Sequence, residues 1–194
     1  AWGGKMSTKP GLTMTEMVGA IDRGEIKALY IMGENPVVAD ADATHVAKAL
    51  EKLEFFVAQD IFLTETSRLA HVVLPAASFA EKDGTFTNTE RRVQRVRKAV
   101  EPPGEARTDW SIVCSVASRM GASGFDFLTA EEIMKEIGGV TPSYGGISFE
   151  RLESGGLQWP CPMKEHPGTP ILHRTAFTRG KGKFFPLKYR PPME

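Results

Sequence analysis

The sequence predicts an α/β fold: an open, mainly parallel sheet flanked by helices, followed by an irregular C-terminal extension. Two observations carry this. Short apolar runs at 27–32, 55–58 and 72–74 alternate with helical patterns over the first eighty residues, and that order implies parallel strands joined by right-handed crossovers. From about residue 140 the composition shifts toward glycine and proline. The chain therefore divides into an α/β domain at 1–140 and an irregular extension or linker at 141–194.

Each element has its own signal. Residues 13–23 read as a helix: Thr13 and Glu16 make a capping-box pattern, and Gly24 can end it. Lys27 to Met32 reads as a buried strand, stopped at Gly33-Glu34-Asn35-Pro36, where proline blocks continuation. Residues 43–53 read as an amphipathic helix with Val46, Ala49, Leu50 and Leu53 at helical spacing. Phe55 to Ala58 is a second buried strand, ending at Gln59-Asp60. Residues 64–70 can form a short helix capped by Thr64, and Val72 to Leu74 is a third strand stopped by Pro75. Residues 84–100 are rich in β-branched and charged side chains and read as an extended loop with an edge strand. Thr108 caps a helix at 109–120, with Trp110, Val113, Cys114 and Ala117 on one face. Thr129 and Glu132 form a second capping box, for a helix ending near Gly138-Gly139. Residues 140–170 read as a long irregular connection with one helical turn at 148–153. The tail at 171–194, ending in Arg190-Pro191-Pro192, reads as a linker or as a strand whose partner lies elsewhere.

Composition narrows the function classes. A chain of 194 residues can bury roughly 70% of its unfolded surface, so a true core is expected. Basic and acidic residues number 24 each, and zero net charge argues against a dedicated nucleic-acid binder. No stretch approaches the ~20 apolar residues of a membrane span. The two cysteines, Cys114 and Cys161, cannot build a four-thiolate zinc or iron–sulfur site. Cys114, in the apolar run Ile112-Val113-Cys114, reads as a buried thiol, and this cysteine usage fits a reducing, cytoplasmic compartment. His45, His71, His166 and His173 do not stand at metal-ligand spacing. Residues Ala1-Trp2-Gly3-Gly4-Lys5 carry neither an initiator Met nor a signal-peptide pattern, and the chain reads as an excised segment or processed product.

In an open parallel sheet, ligands bind at the carboxyl ends of the strands. Those ends hold Gly33, Glu34 and Asn35, then Gln59 and Asp60, then Lys82 just past the third strand, with Asp109 at a helix start. Gly33 permits close backbone approach, and Asn35 offers donor and acceptors. Asp60 can accept the paired N–H edge of guanine, and Lys82 can meet a phosphate or a carbonyl. Taken singly, each has an ordinary reading: a turn at Asn35-Pro36, a cap or Asx turn at Asp60, a dipole-matched Asp109, a solvated Lys82. Gathered on one edge, they outline a nucleotide-type pocket. Neither GxGxxG nor GxxxxGK[ST] is present, which excludes an ordinary dinucleotide fingerprint or P-loop. Glu90 to Lys98 (ERRVQRVRK) is either a solvated strand face or a set of arginines facing an anionic cofactor or a neighbouring domain.

Three ordered blocks then carry a resemblance: Met32-Gly33-Glu34-Asn35-Pro36; Val57-Ala58-Gln59-Asp60-Ile61-Phe62-Leu63-Thr64-Glu65-Thr66; and Val72 to Gln94 (VVLPAASFAEKDGTFTNTERRVQ), continued by Glu101-Pro102-Pro103-Gly104-Glu105-Ala106-Arg107-Thr108-Asp109-Trp110. Over residues 7–160 the chain resembles the formate dehydrogenase alpha subunit of the molybdopterin oxidoreductase superfamily. The resemblance implies an α/β domain holding one of two molybdopterin guanine dinucleotides that carry molybdenum or tungsten. It places cofactor contacts on Gly33, Glu34, Asn35, Gln59, Asp60, Lys82 and Asp109, with Asp60 and Asp109 as guanine- or pterin-facing acceptors. It also implies partners: the rest of the enzyme chain, electron-transfer subunits, and formate as substrate.

The departures bound what this chain does. The family's [4Fe–4S] cysteines, its metal-ligating cysteine or selenocysteine, and the His and Arg beside it have no counterpart, and Cys161 lies in the wrong part of the pattern. Ala70-His71 stands where the family often has Ala-Asp. The implied role is cofactor holding, with no catalytic residue and no metal ligand, and with no formate oxidation by the chain alone. The alternatives are a non-catalytic nucleotide-binding or subunit-docking module, as in the related NADH dehydrogenase subunit, or a nitrate-reductase-type oxidoreductase. As part of a larger fold, the tail from 171 is expected to be disordered or to pair between chains.

Overall fold

A computed structural model describes residues 7–189 and residue 191. The first five residues, Arg190 and Pro192, all part of the reading above, lie outside the described residues.

Helix α1 spans Met14–Asp22. Its capping box is complete: the Thr13 hydroxyl accepts from the Glu16 amide, and the Glu16 carboxylate accepts from the Thr13 amide at 2.7 Å. Strand β1 is Ala28–Met32. Pro36 does more than stop it: it opens a four-residue helix, α2 (Pro36–Ala39), at the position where a missing N–H costs nothing. Helix α3 is Ala43–Leu50, β2 is Phe55–Asp60 and β3 is Val72–Pro75. The three strands lie in the order β1-β2-β3, all parallel, with Tyr30 beside Val57 and Gln59 beside Leu74. This is the open parallel sheet expected from the sequence. The expected helix at 64–70 is a single 3-10 turn, Ser67–Leu69.

One face of this sheet carries the first core. Phe56 and Ala58 of β2 pack with Ile21 of α1 and with Val46, Ala49 and Leu50 of α3, while Leu29 and Ile31 of β1 join from the side. The reading of β1 as a buried strand is corrected: it alternates exposed and half-buried residues, with Tyr30 and Met32 on the outward side. An edge strand has one neighbour and here one covered face, whereas the central β2 is buried almost throughout.

The stretch read as an extended loop with an edge strand holds two strands that form a hairpin. β4 (Gly84–Thr87) pairs antiparallel with β5 (Arg92–Val96), and a short β6 (Leu157–Gln158) adds a third strand. The turn has no glycine; Arg91 takes the left-handed position at φ 67°, and the Asn88 carboxamide oxygen accepts from the amides of Glu90 and Arg92. The usual turn signature was therefore absent from the sequence.

Helix α4 is Asp109–Arg119 and α5 is Ala130–Val140. On α4 the buried residue is Ile112; Val113 is exposed and Trp110, Cys114 and Ala117 are only partly covered. The buried thiol of this chain is Cys161, not Cys114. α5 includes Gly138-Gly139 and ends one residue later, close to the expected stop, and a side chain at Gly138 would meet the Tyr144 carbonyl at 3.4 Å. Glycine inside a helix costs about 1 kcal/mol against alanine; here it lets the next turn approach.

Residues 140–170 are more ordered than expected. They hold a 3-10 turn (Pro142–Tyr144), helix α6 (Phe149–Leu152) and β6. Ile147, Phe149, Leu152 and Cys161 close over Val93 of β5 and Met134 of α5 as a second core. Residues 171–189 stay outside both cores, with Phe184, Leu187 and Tyr189 almost fully exposed. No helix among the described residues is long and apolar enough to cross a membrane.

Candidate functional site

The carboxyl ends of three parallel strands fall on one edge, and hydrogen bonds tie their loops together. The Gly33 amide donates to the Gln59 carbonyl at 2.9 Å, and the Ala76 amide donates to the Asp60 carbonyl at 3.0 Å. Residues 75–77 are bridged in turn to Arg107, just before α4. The expected positions lie at or beside these connected strand ends, with Gln59 and Asp60 closing β2 and Asp109 opening α4, and their side chains divide into three groups.

The first group is a polar chain that runs from the surface through the buried Gln59. Gln59 is 1% exposed and points away from the first core. The Tyr30 hydroxyl donates to its Oε1, which turns Nε2 toward Asp109 Oδ1 at 2.9 Å. Lys82 Nζ donates to the other Asp109 oxygen at 2.5 Å. Both oxygens of Asp109 are therefore engaged within the chain. Burial, with the nearby Asp109 charge adding to it, raises the Tyr30 phenol above its ordinary pKa, so Tyr30 remains a donor at neutral pH.

The second group locks the corner after β1. Asn35 Nδ2 donates to Glu65 Oε2 at 2.8 Å, and Asn35 Oδ1 accepts from the Thr66 hydroxyl at 2.7 Å and the Thr66 amide at 3.3 Å. Thr66, 0% exposed, accepts from the Val37 amide. The hydrogen bond from Asn35 is the main cause holding the Glu65 carboxyl below its ordinary pKa.

The third group stays open to a ligand. Gly33 sits at φ 65° with nothing within 4 Å of where a side chain would project. Glu34 is exposed, and no ion pair engages it among the described residues. Asp60 Oδ1 accepts from the Ile61 amide at 2.7 Å and the Phe62 amide at 3.4 Å, while no donor to its Oδ2 is found among the described residues.

Three members of this edge were missed from sequence. Tyr30 lay in an apolar run, and Glu65 and Thr66 lay in a stretch read as a short capped helix. Packing of the second crossover against the first loop brings Glu65 and Thr66 to Asn35, and pairing of β1 with β2 brings Tyr30 to Gln59. The basic run is neither a solvated strand face nor, among the described residues, directed at the candidate edge: most of its side chains turn onto partners within the chain. Arg92 pairs with Glu90, Arg97 with Glu153 and Lys98 with Glu101, and Arg95 lies between Asp83 and Glu153 over the Phe149 ring. Arg91 donates to the carbonyls of Trp159, Thr169 and Pro170. These arginines fasten the hairpin to the second core. At the strand start His71 Nδ1 accepts from the Phe56 amide at 2.9 Å.

A parallel sheet with a polar edge at its strand ends, a glycine corner and no phosphate-loop motif defines an α/β domain of the class whose ligands are taken at the strand ends. Comparison with known proteins makes the class specific: the chain belongs to the molybdopterin oxidoreductase family, whose profile matches residues 3–119. It is 53% identical, over its whole length, to the F420-dependent formate dehydrogenase subunit alpha of Methanocaldococcus jannaschii. It is 57% identical over 95% of its length to the F420-dependent formate dehydrogenase 2 subunit alpha of Methanococcus maripaludis. The chain spans 29% and 28% of the length of these two relatives. Acetylene hydratase from Pelobacter acetylenicus shares the fold, with a TM-score of 0.60 and 23% identity over 73% of this chain and 20% of that one.

Proposed function

We propose that this chain is the cofactor-holding segment of a formate dehydrogenase, seating the guanine end of one molybdopterin guanine dinucleotide on the edge formed by Gly33, Asp60 and Lys82. The observation that carries the reading is the convergence of three strand ends with an open glycine backbone, an acceptor oxygen of Asp60 without a donor, and an ammonium group at Lys82. These groups fit the dinucleotide. Asp60 accepts from the N–H edge of guanine, the Gly33 corner admits close approach of the ligand, and Lys82 meets a phosphate with the N–H groups that Asp109 leaves free. Gln59 and Asp109 act through Lys82 by holding it, and Asn35 with Glu65 and Thr66 fixes the wall. Glu34, at the mouth, is the remaining contact.

When bound, a molybdenum or tungsten pterin supplies the two-electron chemistry; this chain supplies placement and electrostatics. The reading places the [4Fe–4S] cluster, the metal ligand and the formate site outside these residues, with the rest of the enzyme and electron-transfer subunits as partners. It also places the protein in the cytoplasm, a compartment that suits the two free cysteines. Its support is the family and the formate dehydrogenase names of the relatives.

Calorimetric titration of the purified chain with GDP and ADP tests the reading. GDP is expected to bind more tightly than ADP. Asp60→Asn should erase about 1–3 kcal/mol of that preference, the discrimination typical of a well-matched base contact. Equal binding of the two nucleotides by the unaltered chain would overturn it.

A further inference from the structure

We infer that Phe62 is the stacking face for the base that Asp60 reads. The inference deepens the proposed function and rests on it. Phe62 is 72% exposed, two residues beyond the central strand that ends at Asp60. Its backbone is held firmly: its amide faces Asp60 Oδ1 at 3.4 Å, and its carbonyl accepts from the Thr64 amide at 3.0 Å. The Asp60 carboxylate is fixed by the same turn, through the Ile61 amide at 2.7 Å. One short turn therefore displays an acceptor oxygen without a donor and an uncovered aromatic ring, with their backbone positions set relative to each other. Neither Phe62 nor its neighbours Ile61 and Leu63 joins either core, and all three are exposed.

A carboxylate and an aromatic ring on one turn recognise different properties of a planar heterocycle. The carboxylate reads the N–H edge and so separates guanine from adenine. The ring offers a π-face, and every base has one. Phe62 then contributes affinity without selectivity, and Asp60 contributes selectivity. The two roles leave separate signatures in a binding experiment.

GDP and ADP titrations of the 194-residue chain and its Phe62→Ala, Phe62→Tyr and Asp60→Asn variants read both. Phe62→Ala is expected to weaken GDP and ADP by a common factor of about 5- to 150-fold, the range for one lost base–aromatic stack, leaving their ratio unchanged. Phe62→Tyr keeps a ring and should retain binding. Because the side chain is exposed, the thermal midpoint of Phe62→Ala should match that of the unaltered chain. If Phe62→Ala leaves both affinities unchanged, or lowers GDP alone, the stacking role is overturned; so too if tyrosine fails to preserve binding. Asp60→Asn separates the two ideas: a GDP-to-ADP ratio it does not alter defeats the guanine reading, while a common loss in Phe62→Ala still upholds stacking. Absence of binding to either nucleotide by the unaltered chain defeats both.

Discussion

Asn35, which the resemblance assigns to a cofactor contact, makes its side-chain hydrogen bonds within the chain. Its carboxamide spends both ends inside the chain, on Glu65 and on Thr66. Asn35→Ala should leave the Thr66 hydroxyl without its acceptor in a site closed to water. A buried polar group stranded in this way costs about 1–3 kcal/mol, measurable by urea unfolding. The same substitution has a pH signature. Glu65 titrates below its ordinary range chiefly because Asn35 donates to it. A carboxyl lowered in the folded state stabilises the fold above its unfolded pKa, and that contribution is lost as pH falls through the lowered folded value. In Asn35→Ala the Glu65 midpoint, followed by carboxyl NMR, should rise toward the ordinary value. Glu65 is solvent-exposed, so its share of stability is screened and small. An unmoved midpoint would mean that another group holds Glu65.

At the scale of elements, the second core depends on glycines as much as on apolar side chains. A Cβ on Gly146 would lie 2.1 Å from the Met163 carbonyl oxygen and 3.0 Å from that of Cys161. The Gly146 amide also donates to the Cys161 carbonyl at 2.7 Å. The obstructing atoms are backbone, so they cannot rotate aside. Gly146→Ala should force the 161–163 segment off α6 and cost about 1–3 kcal/mol or more, as overpacking does. Cys161, fully buried, reports the event: its thiol should gain reactivity toward an aromatic disulfide reagent, while the partly exposed Cys114 reacts as before. Unchanged protection of Cys161 would show that the segment tolerates the methyl group. Arg151 secures the same region, donating to the carbonyls of Gly146 and His166.

The whole molecule joins a parallel sheet that presents the candidate site to a hairpin unit that braces it. The junction runs through Ala80, whose carbonyl accepts from the amides of Ala99 and Val100, and through the Lys82–Asp109 pair. Incubation of the purified 194-residue chain with formate and a viologen dye should give no turnover above background. Steady reduction of the dye would overturn the assignment of the chain as a holding segment. The result expected here concerns the chain alone; its relatives are more than three times as long.

Local signals in the sequence determined the parallel sheet, the complete cap at Thr13, and the strand ends at 32, 60 and 75 to within two residues, because periodicity, capping and chain-breaking act over a few residues. The candidate edge followed from topology, since parallel strands place their carboxyl ends together. Tertiary structure alone decided what those residues do. It engaged both oxygens of Asp109 with Gln59 and Lys82, brought Glu65 and Thr66 to Asn35, and left Phe62 uncovered. It also built a hairpin on a turn without glycine and a second core from a stretch that reads as irregular. Contacts between residues far apart in the chain leave no local pattern, because their energy exists only once both partners have been brought together by the fold.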